Sequence, residues 1–453
     1  MKKNFATYLA MFTLLFLSAS CVSSDDDEVV LSPYALVTSF GVNNIKSSYH
    51  SFTSTGEDTI VVRTITTAGY PFSIDQSTGE IYNNDSLPFG TDVSKVVIKM
   101  SVRGVASIYV DSTETYEAFS FSDSIDFTTP RKFRIYAADA QYYKDYTVSV
   151  NVHTLNPDLL QWNKYPAVEG ITPQRVVEFN GNICLFGIDG AGVQVVAISP
   201  LAGEPVWEQQ PVAGLPTASL ENIQQFCGKL YAVAGGDLYS SADALNWSLA
   251  SAGGDYLSIV SASDFENRMW VATATGLLSS CDGTAFDSIS PLPASFPLYG
   301  LSLASYPLSH NSKIIRNMLV GYRNAEMTGA PVVWSKLSSE ENWVMYNNGN
   351  NPYPCPALKN LSVLHYDNFL YAFGNAGTVE GEEVAPFGAL YISKDNGIVW
   401  KDSGSFYLRM PVELKGADVS FASAADSNDY IWLVTGGEQA AVWKGIINRL
   451  GFK

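Results

Sequence analysis

Apolar and polar residues alternate with a period of two through most of residues 32–154. The runs "DTIVVRTI", "KVVIKMSV", "ASIYVD", "RKFRIYAA" and "YTVSVNVH" each turn one face to a core and the other to water. That pattern predicts half-buried strands. In "FSIDQSTGEIYNND", Phe72, Ile74, Ile81 and Tyr82 flank Ser77-Thr78-Gly79. This predicts a hairpin with Gly79 at positive φ and Asp75 capping the turn. Short strands with no helical period predict a β-sandwich over 32–154. The segment "TLNPDL", with Pro157, then reads as a linker.

Beyond the linker the pattern repeats. Apolar-aromatic runs recur as "NGNICLFG", "CGKLYAVAG", "ENRMWVAT", "IRNMLVGY", "DNFLYAFG" and "NDYIWLVTG". Ahead of four of them stand "LSIVSAS", "LSLASYP", "LSVLHYD" and "VSFASAA", each with an apolar-Ser-apolar triplet. Behind them comes a polar signature, clearest in "YISKDNGIVW": Ser393, Asp395, Gly397 and Trp400. Shorter copies are "SADALNW" (Ser241, Asp243, Trp247) and "SCDGTAF" (Ser280, Asp282, Gly283, Phe286). Ser199 to Trp207 and Ser335 to Trp343 are copies without the Asp. A period of roughly 40–60 residues without helix predicts a β-propeller. Six units are counted, with inner strands starting near 175, 222, 257, 300, 361 and 419. The sixth lacks an outer strand of its own. "LLQWNKYP", 159–166, with Trp162, is expected to supply it and close the ring.

The S-x-D-x-G-x-x-W signature resembles the Asp-box of sialidase-type propellers. In such hairpins the Asp accepts backbone N–H bonds, the Gly takes positive φ and the Trp packs. Asp243, Asp282 and Asp395 are therefore expected to be structural, not catalytic. The string F-x-I-D-x-x-T-G-x-I resembles a cadherin-type hairpin, and calcium binding is not inferred from it.

Composition narrows the function classes. The 453 residues are 46% hydrophobic and 13% aromatic, in keeping with a β-rich globular chain. A net charge of −18, with no basic stripe, argues against nucleic acid as a partner. Cys184, Cys227, Cys281 and Cys355 are scattered; four cysteines allow three pairings and the spacing selects none. The four histidines do not cluster with Cys or acids at ligand spacing, so no metal and no cofactor is expected.

The N-terminus carries Lys2 and Lys3, then the apolar "FATYLAMFTLLFLSAS", then Cys21. It is too short for a membrane span and reads as a signal peptide, residues 1–20. Leu17-Ser18-Ala19-Ser20 before Cys21 resembles a loose lipobox, with Ser18 where a large aliphatic residue is commoner. Cys21 is accordingly the expected lipidation site. The acids Asp25 to Glu28, in a tether over 21–31, resemble the acidic tag of surface lipoproteins in Bacteroidetes.

No nucleotide-binding, metalloprotease or serine-hydrolase motif occurs in the right context. Sialidase chemistry needs clustered arginines, and those of the propeller region are scattered. Candidate ligand residues lie in the long loops of the fourth and fifth units: Arg323; Tyr346, Asn348, Asn350 and Tyr353 in "VMYNNGNNPYPCP"; Glu382 and Glu383 in "NAGTVEGEEVAPFG"; Tyr407 and Arg409 in "DSGSFYLRM". Rings and amides of this kind stack on and hydrogen-bond sugars. These loops are expected to share one face near the central channel.

The whole chain resembles an uncharacterised group of Bacteroidetes surface lipoproteins: lipobox and acidic tag, an Ig-like β-sandwich (32–154), then a six-bladed β-propeller (155–453) with Asp-box-like hairpins. The resemblance implies a lipid-anchored outer-membrane protein facing the cell exterior. It would act as a binding or scaffold module for polysaccharide, glycoprotein or a cell-surface protein. The alternative is a glycoside hydrolase or lyase using carboxylates of the channel face.

Overall fold

A computed structural model describes residues 32–52, 58–118, 120–218, 220–346 and 351–451. The described residues form an all-β structure with a few short 3-10 turns. They cluster into two compact units. One holds the residues up to Tyr49 together with Val62–Thr154; the other holds His50–Val61 and everything from Leu155 onward. Residues 50–52 and 58–61 thus group with the second unit.

In the first unit, a six-stranded sheet runs in the order Phe72–Asp75, Glu80–Asn83, Tyr143–Ser149, Arg131–Tyr136, Val105–Val110, Thr115–Ala118. A three-stranded sheet combines Leu36–Val42, Val96–Arg103 and Ser124–Ile125. Val37 and Ile98 from the small sheet pack with Ile81, Phe133, Ile135 and Val148 from the large one in a single core. Tyr146 ties the two: its hydroxyl donates to Gln76 Oε1 at 2.6 Å and accepts the Val37 amide at 3.2 Å. The hairpin around Ser77 forms with Gly79 at φ +75°. Asp75 Oδ1 there accepts the Ser77 amide at 2.7 Å and the Thr78 amide at 3.2 Å.

The second unit contains six four-stranded antiparallel sheets. Sheet 1 is Ile171–Phe179, Asn182–Asp189, Gln194–Pro200 and Glu208–Pro211. Sheet 2 is Gln224–Phe226, Lys229–Ala234, Asp237–Ser241 and Trp247–Ser251. Sheet 3 is Tyr256–Ser263, Arg268–Thr273, Gly276–Ser280 and Asp287–Pro291. Sheet 4 is Tyr299–Leu308, Asn311–Tyr322, Val332–Leu337 and Val344–Met345. Sheet 5 is Ser362–Tyr366, Phe369–Phe373, Tyr391–Ser393 and Lys401–Asp402. Sheet 6 is Phe421–Ala425, Ile431–Thr435, Ala441–Ile447 and, from the beginning of the unit, Leu160–Tyr165.

The first strands contact one another in sequence from sheet 1 to sheet 6, and that of sheet 6 contacts that of sheet 1, so the contacts form a cycle. Leu160–Tyr165 pairs antiparallel with Ala441–Ile447, from Leu160↔Ile447 to Tyr165↔Val442. Without it, the outer edge of Ala441–Ile447 would present unpaired backbone groups. The stretch around Glu382 and Glu383, expected as a long loop, contains a β-hairpin: Gly377–Val379 pairs with Glu382–Val384 and with Ala357–Leu358.

Candidate functional site

The polar signatures form hairpins between the third and fourth strands of their sheets. In sheet 5, Asp395 Oδ1 accepts the Ser393 hydroxyl at 2.8 Å and the Val399 amide at 2.9 Å. The Gly397 amide donates back to Ser393 Oγ at 2.8 Å, and Trp400 Nε1 donates to the Gly397 carbonyl at 3.0 Å. Gly397 sits at φ +94°, and a Cβ there would meet Val333 Cγ1 of sheet 4 at 2.9 Å. In sheet 2, Asp243 Oδ1 accepts the Leu245 and Asn246 amides at 2.9 and 2.7 Å, while Ala244 holds φ +67° where the copies in sheets 3 and 5 have Gly. In sheet 3, Asp282 Oδ1 accepts the Thr284 and Ala285 amides at 2.8 and 3.0 Å. Hydrogen bonds from the Asn246 side chain and amide hold the Asp243 carboxyl down to about 2. The backbone amides of Thr284 and Ala285 hold Asp282 still further below the carboxylate range. Carboxylates this fully occupied as acceptors are poor bases.

The hairpin aromatics pack on the preceding sheet rather than on each other. Trp400 lies in one core with Met318 and Val333 of sheet 4. Trp247 meets Phe186 of sheet 1 edge-on at 6.2 Å, and Trp343 meets Trp270 of sheet 3 at 6.3 Å. Trp207 of sheet 1 meets Trp432 of sheet 6 at 6.2 Å, so the same contact also closes the cycle.

Cys21, Asn348 and Asn350 lie outside the described residues. The Tyr346 hydroxyl is taken by Arg316 Nη1 at 2.5 Å, and its ring packs in the core between sheets 4 and 5. Tyr353 lies beside the 393–400 hairpin: its carbonyl accepts the Trp400 amide at 3.0 Å, and Lys401 Nζ sits 4.3 Å from its ring centre. Arg323 is exposed and points to Met345, with 3.8 Å from Nη2 to Sδ. Glu382 and Glu383 are exposed on their own hairpin. Tyr407 and Arg409 belong to the segment before sheet 6, where their carbonyls accept the Leu160 amide and the Trp162 indole at 2.9 and 2.8 Å. The 327–330, 354–359 and 376–381 stretches of these loops line a common cavity, with none of the candidate side chains on its walls.

The structure instead shows a chamber among the first strands, of about 230 Å³. Its walls come from Thr172–Arg175 of sheet 1, Glu221 of the 3-10 turn before sheet 2, Gly300–Ser302 of sheet 4, Asn360–Ser362 before and in sheet 5, and Ser420–Ser423 entering sheet 6. Backbone irregularities shape it: the ladder register shifts between Pro173 and Arg175 in sheet 1 and between Tyr299 and Ser302 in sheet 4. Such bulges re-aim side chains and bend strands beside sites. Sheet 3 has a shift of the same kind between Tyr256 and Ser258.

The polar groups at this level are under-used. Arg175 Nη2 donates to Gln224 Oε1 at 3.3 Å, but its buried Nε has no protein partner. Gln224 Nε2 and Ser258 Oγ are also without one, on residues 7% and 3% exposed. Burial of the guanidinium pulls the Arg175 pKa down to about 10, against the opposing pull of the Glu221 charge. Glu221 keeps solvent contact at the mouth, yet the surrounding walls raise its carboxyl, with the Arg175 charge acting the other way. None of the candidate residues from the long loops lines this chamber. The signal that marked it was present in the repeat: Ser302, Ser362 and Ser420 of three apolar-Ser-apolar triplets are chamber residues.

Among the described residues no group of three or more His, Cys, Asp or Glu could hold a metal ion, and no helix is long and apolar enough to cross a membrane. The four described cysteines are free thiols.

No curated protein matches the chain. Among solved structures it is similar to a DUF4623 family protein from Bacteroides eggerthii, at 11% identity and TM-score 0.37 over 90% of this chain and 98% of that one. It is also similar to an α-L-arabinanase from Penicillium chrysogenum complexed with arabinobiose, at 12% identity and TM-score 0.36 over 64% and 97% of the two chains. A GH93 α-L-arabinofuranosidase from Fusarium graminearum gives 10% identity and TM-score 0.36 over 62% and 98%. Likenesses this remote say nothing about what this chain binds. The family models are direct: residues 40–150 match the DUF6242 N-terminal domain, a domain of unknown function, and residues 156–453 match the DUF6242 beta propeller domain. With both of its domains matched in order, the chain belongs to the DUF6242 family.

Proposed function

We propose that the protein is a binding module of the bacterial cell surface. It is held by a lipid on Cys21, carries an Ig-like β-sandwich, and captures a glycan or protein ligand at the channel mouth of a six-bladed propeller with Asp-box-like hairpins. The observation that carries this reading is the chamber. Buried donors without partners cost stability, since a desolvated N–H gains nothing in return. Arg175 lines the chamber, and its buried Nε stands in that state, as does Nε2 of its hydrogen-bond partner Gln224 behind the wall.

The cyclic contacts of the six first strands and the pairing of Leu160–Tyr165 support a closed six-bladed ring. The described chamber lining includes one carboxylate, Glu221, whereas glycoside hydrolysis by paired carboxylates needs two. Capture therefore suits the chamber better than turnover. The anchor rests on Leu17 to Cys21 and the acids Asp25 to Glu28.

Immobilised polysaccharides and glycoproteins provide the test. Thr172 is an exposed wall residue, so Thr172→Trp should narrow the mouth without changing the melting temperature. Binding lost in that variant supports the reading; a ligand held equally well contradicts it. Turnover of a bound glycan, abolished by Glu221→Gln, would establish hydrolysis instead. For the anchor, Cys21→Ala should move the protein out of the membrane fraction, and equal retention would refute lipidation.

A further inference from the structure

Three of the turns that join first to second strands hold two successive residues at positive φ. They are Asn180-Gly181 in sheet 1 (+49° and +73°), Cys227-Gly228 in sheet 2 (+47° and +70°) and Asp367-Asn368 in sheet 5 (+49° and +63°). Such turns favour Asn, Asp or Gly at the first position, so the backbone gains nothing from a cysteine there. The side chain at this position crosses to the next sheet. Asn180 Nδ2 donates at 3.2 Å to the carbonyl of Ala242, the residue after the signature serine Ser241 of sheet 2. Asp367 pairs with Arg449, just beyond the third strand of sheet 6. The residue that matches Ala242 in sheet 3, after the signature serine Ser280, is Cys281. The repeat thus sets a cysteine at each of two places that meet at the boundary between sheets 1 and 2. Direct contacts hold the same places together between sheets 2 and 3. The Cys227 amide donates to Asp264 Oδ1 at 2.7 Å and its thiol to Asn267 Oδ1 at 3.2 Å, both between the first and second strands of sheet 3. Tyr231 of sheet 2 donates its hydroxyl at 3.3 Å to the carbonyl of Asp282, the residue after Cys281. Burial raises the Cys227 thiol pKa, and negative charge on Asp264, Cys281 and Asp282 raises it further. Both cysteines are exposed, whereas Cys184 and Cys355 are buried, and neither lines the chamber.

We propose that Cys227 and Cys281 are a redox pair that closes to a disulfide and staples sheet 2 to sheet 3. The oxidant is a small-molecule disulfide. The thiolate of one cysteine attacks it, forms a mixed disulfide and releases one oxidant thiolate. The second cysteine attacks the mixed disulfide and releases the other. The two protein thiols lose two electrons and two protons, which leave with the oxidant as two thiols. Cys227 gives up its bond to Asn267 on closing. The link encloses the chain from 227 to 281 and so restricts the unfolded state.

Mass spectrometry of the full chain tests this, with Cys21→Ser in every sample to remove the thiol outside the described residues. The folded, reduced protein is treated with glutathione disulfide, alkylated and digested. A peptide linking Cys227 to Cys281 should be the main product, with Cys184 and Cys355 still reduced. The linked protein should melt about 3 °C or more above the reduced form. Cys227→Ser and Cys281→Ser should each leave the other cysteine as a glutathione adduct and show no such rise. The pair is overturned if glutathione stays on both cysteines, if either links two chains, or if both thiols remain free. A link that forms only in urea would show that the folded protein holds the cysteines apart, and would overturn it too. A link formed in the folded protein without a rise in melting temperature would overturn the staple.

Discussion

The hairpins that end the third strands and the chamber among the first strands treat polar groups in opposite ways. At the hairpins that carry an Asp, the carboxylate and its serine make their hydrogen bonds within a few residues of sequence, whereas the indoles of Trp207 and Trp343, in the copies without Asp, have no protein partner. Asp243, Asp282 and Asp395 each accept from nearby backbone amides, and their serines close the loop. In and around the chamber, Arg175, Gln224 and Ser258 come from different sheets, and buried atoms on each lack a partner. Satisfied local polar groups stabilise a fold; unsatisfied buried ones cost stability. The same repeat supplies both, one at its periphery and one at its axis.

The largest test of this contrast removes a hairpin aromatic. Trp400, 2% exposed, fills the space between sheets 4 and 5 and donates to Gly397. Trp400→Ala should cost about 3–5 kcal/mol, the range for a large core truncation, read from the urea midpoint. A loss under about 1 kcal/mol would mean that the hairpin does not join the sheets. Next in size is Asp243→Ala, which frees the Leu245 and Asn246 amides. Its cost should be about 1–2 kcal/mol, as for a lost cap.

Acid titration separates the terms. His365 is stacked on Tyr306 at 3.7 Å, and burial pushes its pKa down to about 4 from 6.5. The unfolded chain binds that proton first, so stability present above pH 6.5 is lost as pH falls toward 4. Asp75 and Asp243 are lowered from 3.8 to about 2, so their contribution is present above 3.8 and is lost as pH falls toward 2. Stability should therefore decline in two stages. His365→Phe, which keeps a ring on Tyr306, should flatten the first stage only. A variant that still declines between pH 6.5 and 4 as wild type does would assign that stage to another group.

The two regions also differ in how far they could be read from sequence. The hairpins were legible because Ser, Asp, Gly and Trp act at fixed short spacing, whatever the rest of the chain does. The outer strand around Trp162 was legible because one repeat lacked a part and another segment had it spare. The chamber was hidden because it depends on bulges. A register shift at Arg175 or Ser302 leaves no mark in the apolar pattern, and it decides where the side chain points. The setting of Tyr346 was hidden for a related reason. Composition suited Tyr346 to sugar, but the hydroxyl is committed to Arg316, a contact set by how sheet 4 pairs.

The central claim is that Arg175 is kept for binding at the expense of stability, and its replacement by an apolar residue of similar length tests it most directly. Removing a desolvated charge with no ion pair relieves the cost of burying it and gives up one 3.3 Å hydrogen bond to Gln224 Oε1, and exchanges of buried charge for apolar groups are often neutral or stabilising. Thermal unfolding of Arg175→Met at neutral pH, without ligand, should give a melting temperature equal to or above that of wild type. A fall as large as that of Asp243→Ala would show that Arg175 holds the fold together, and the chamber would lose its claim to be a site.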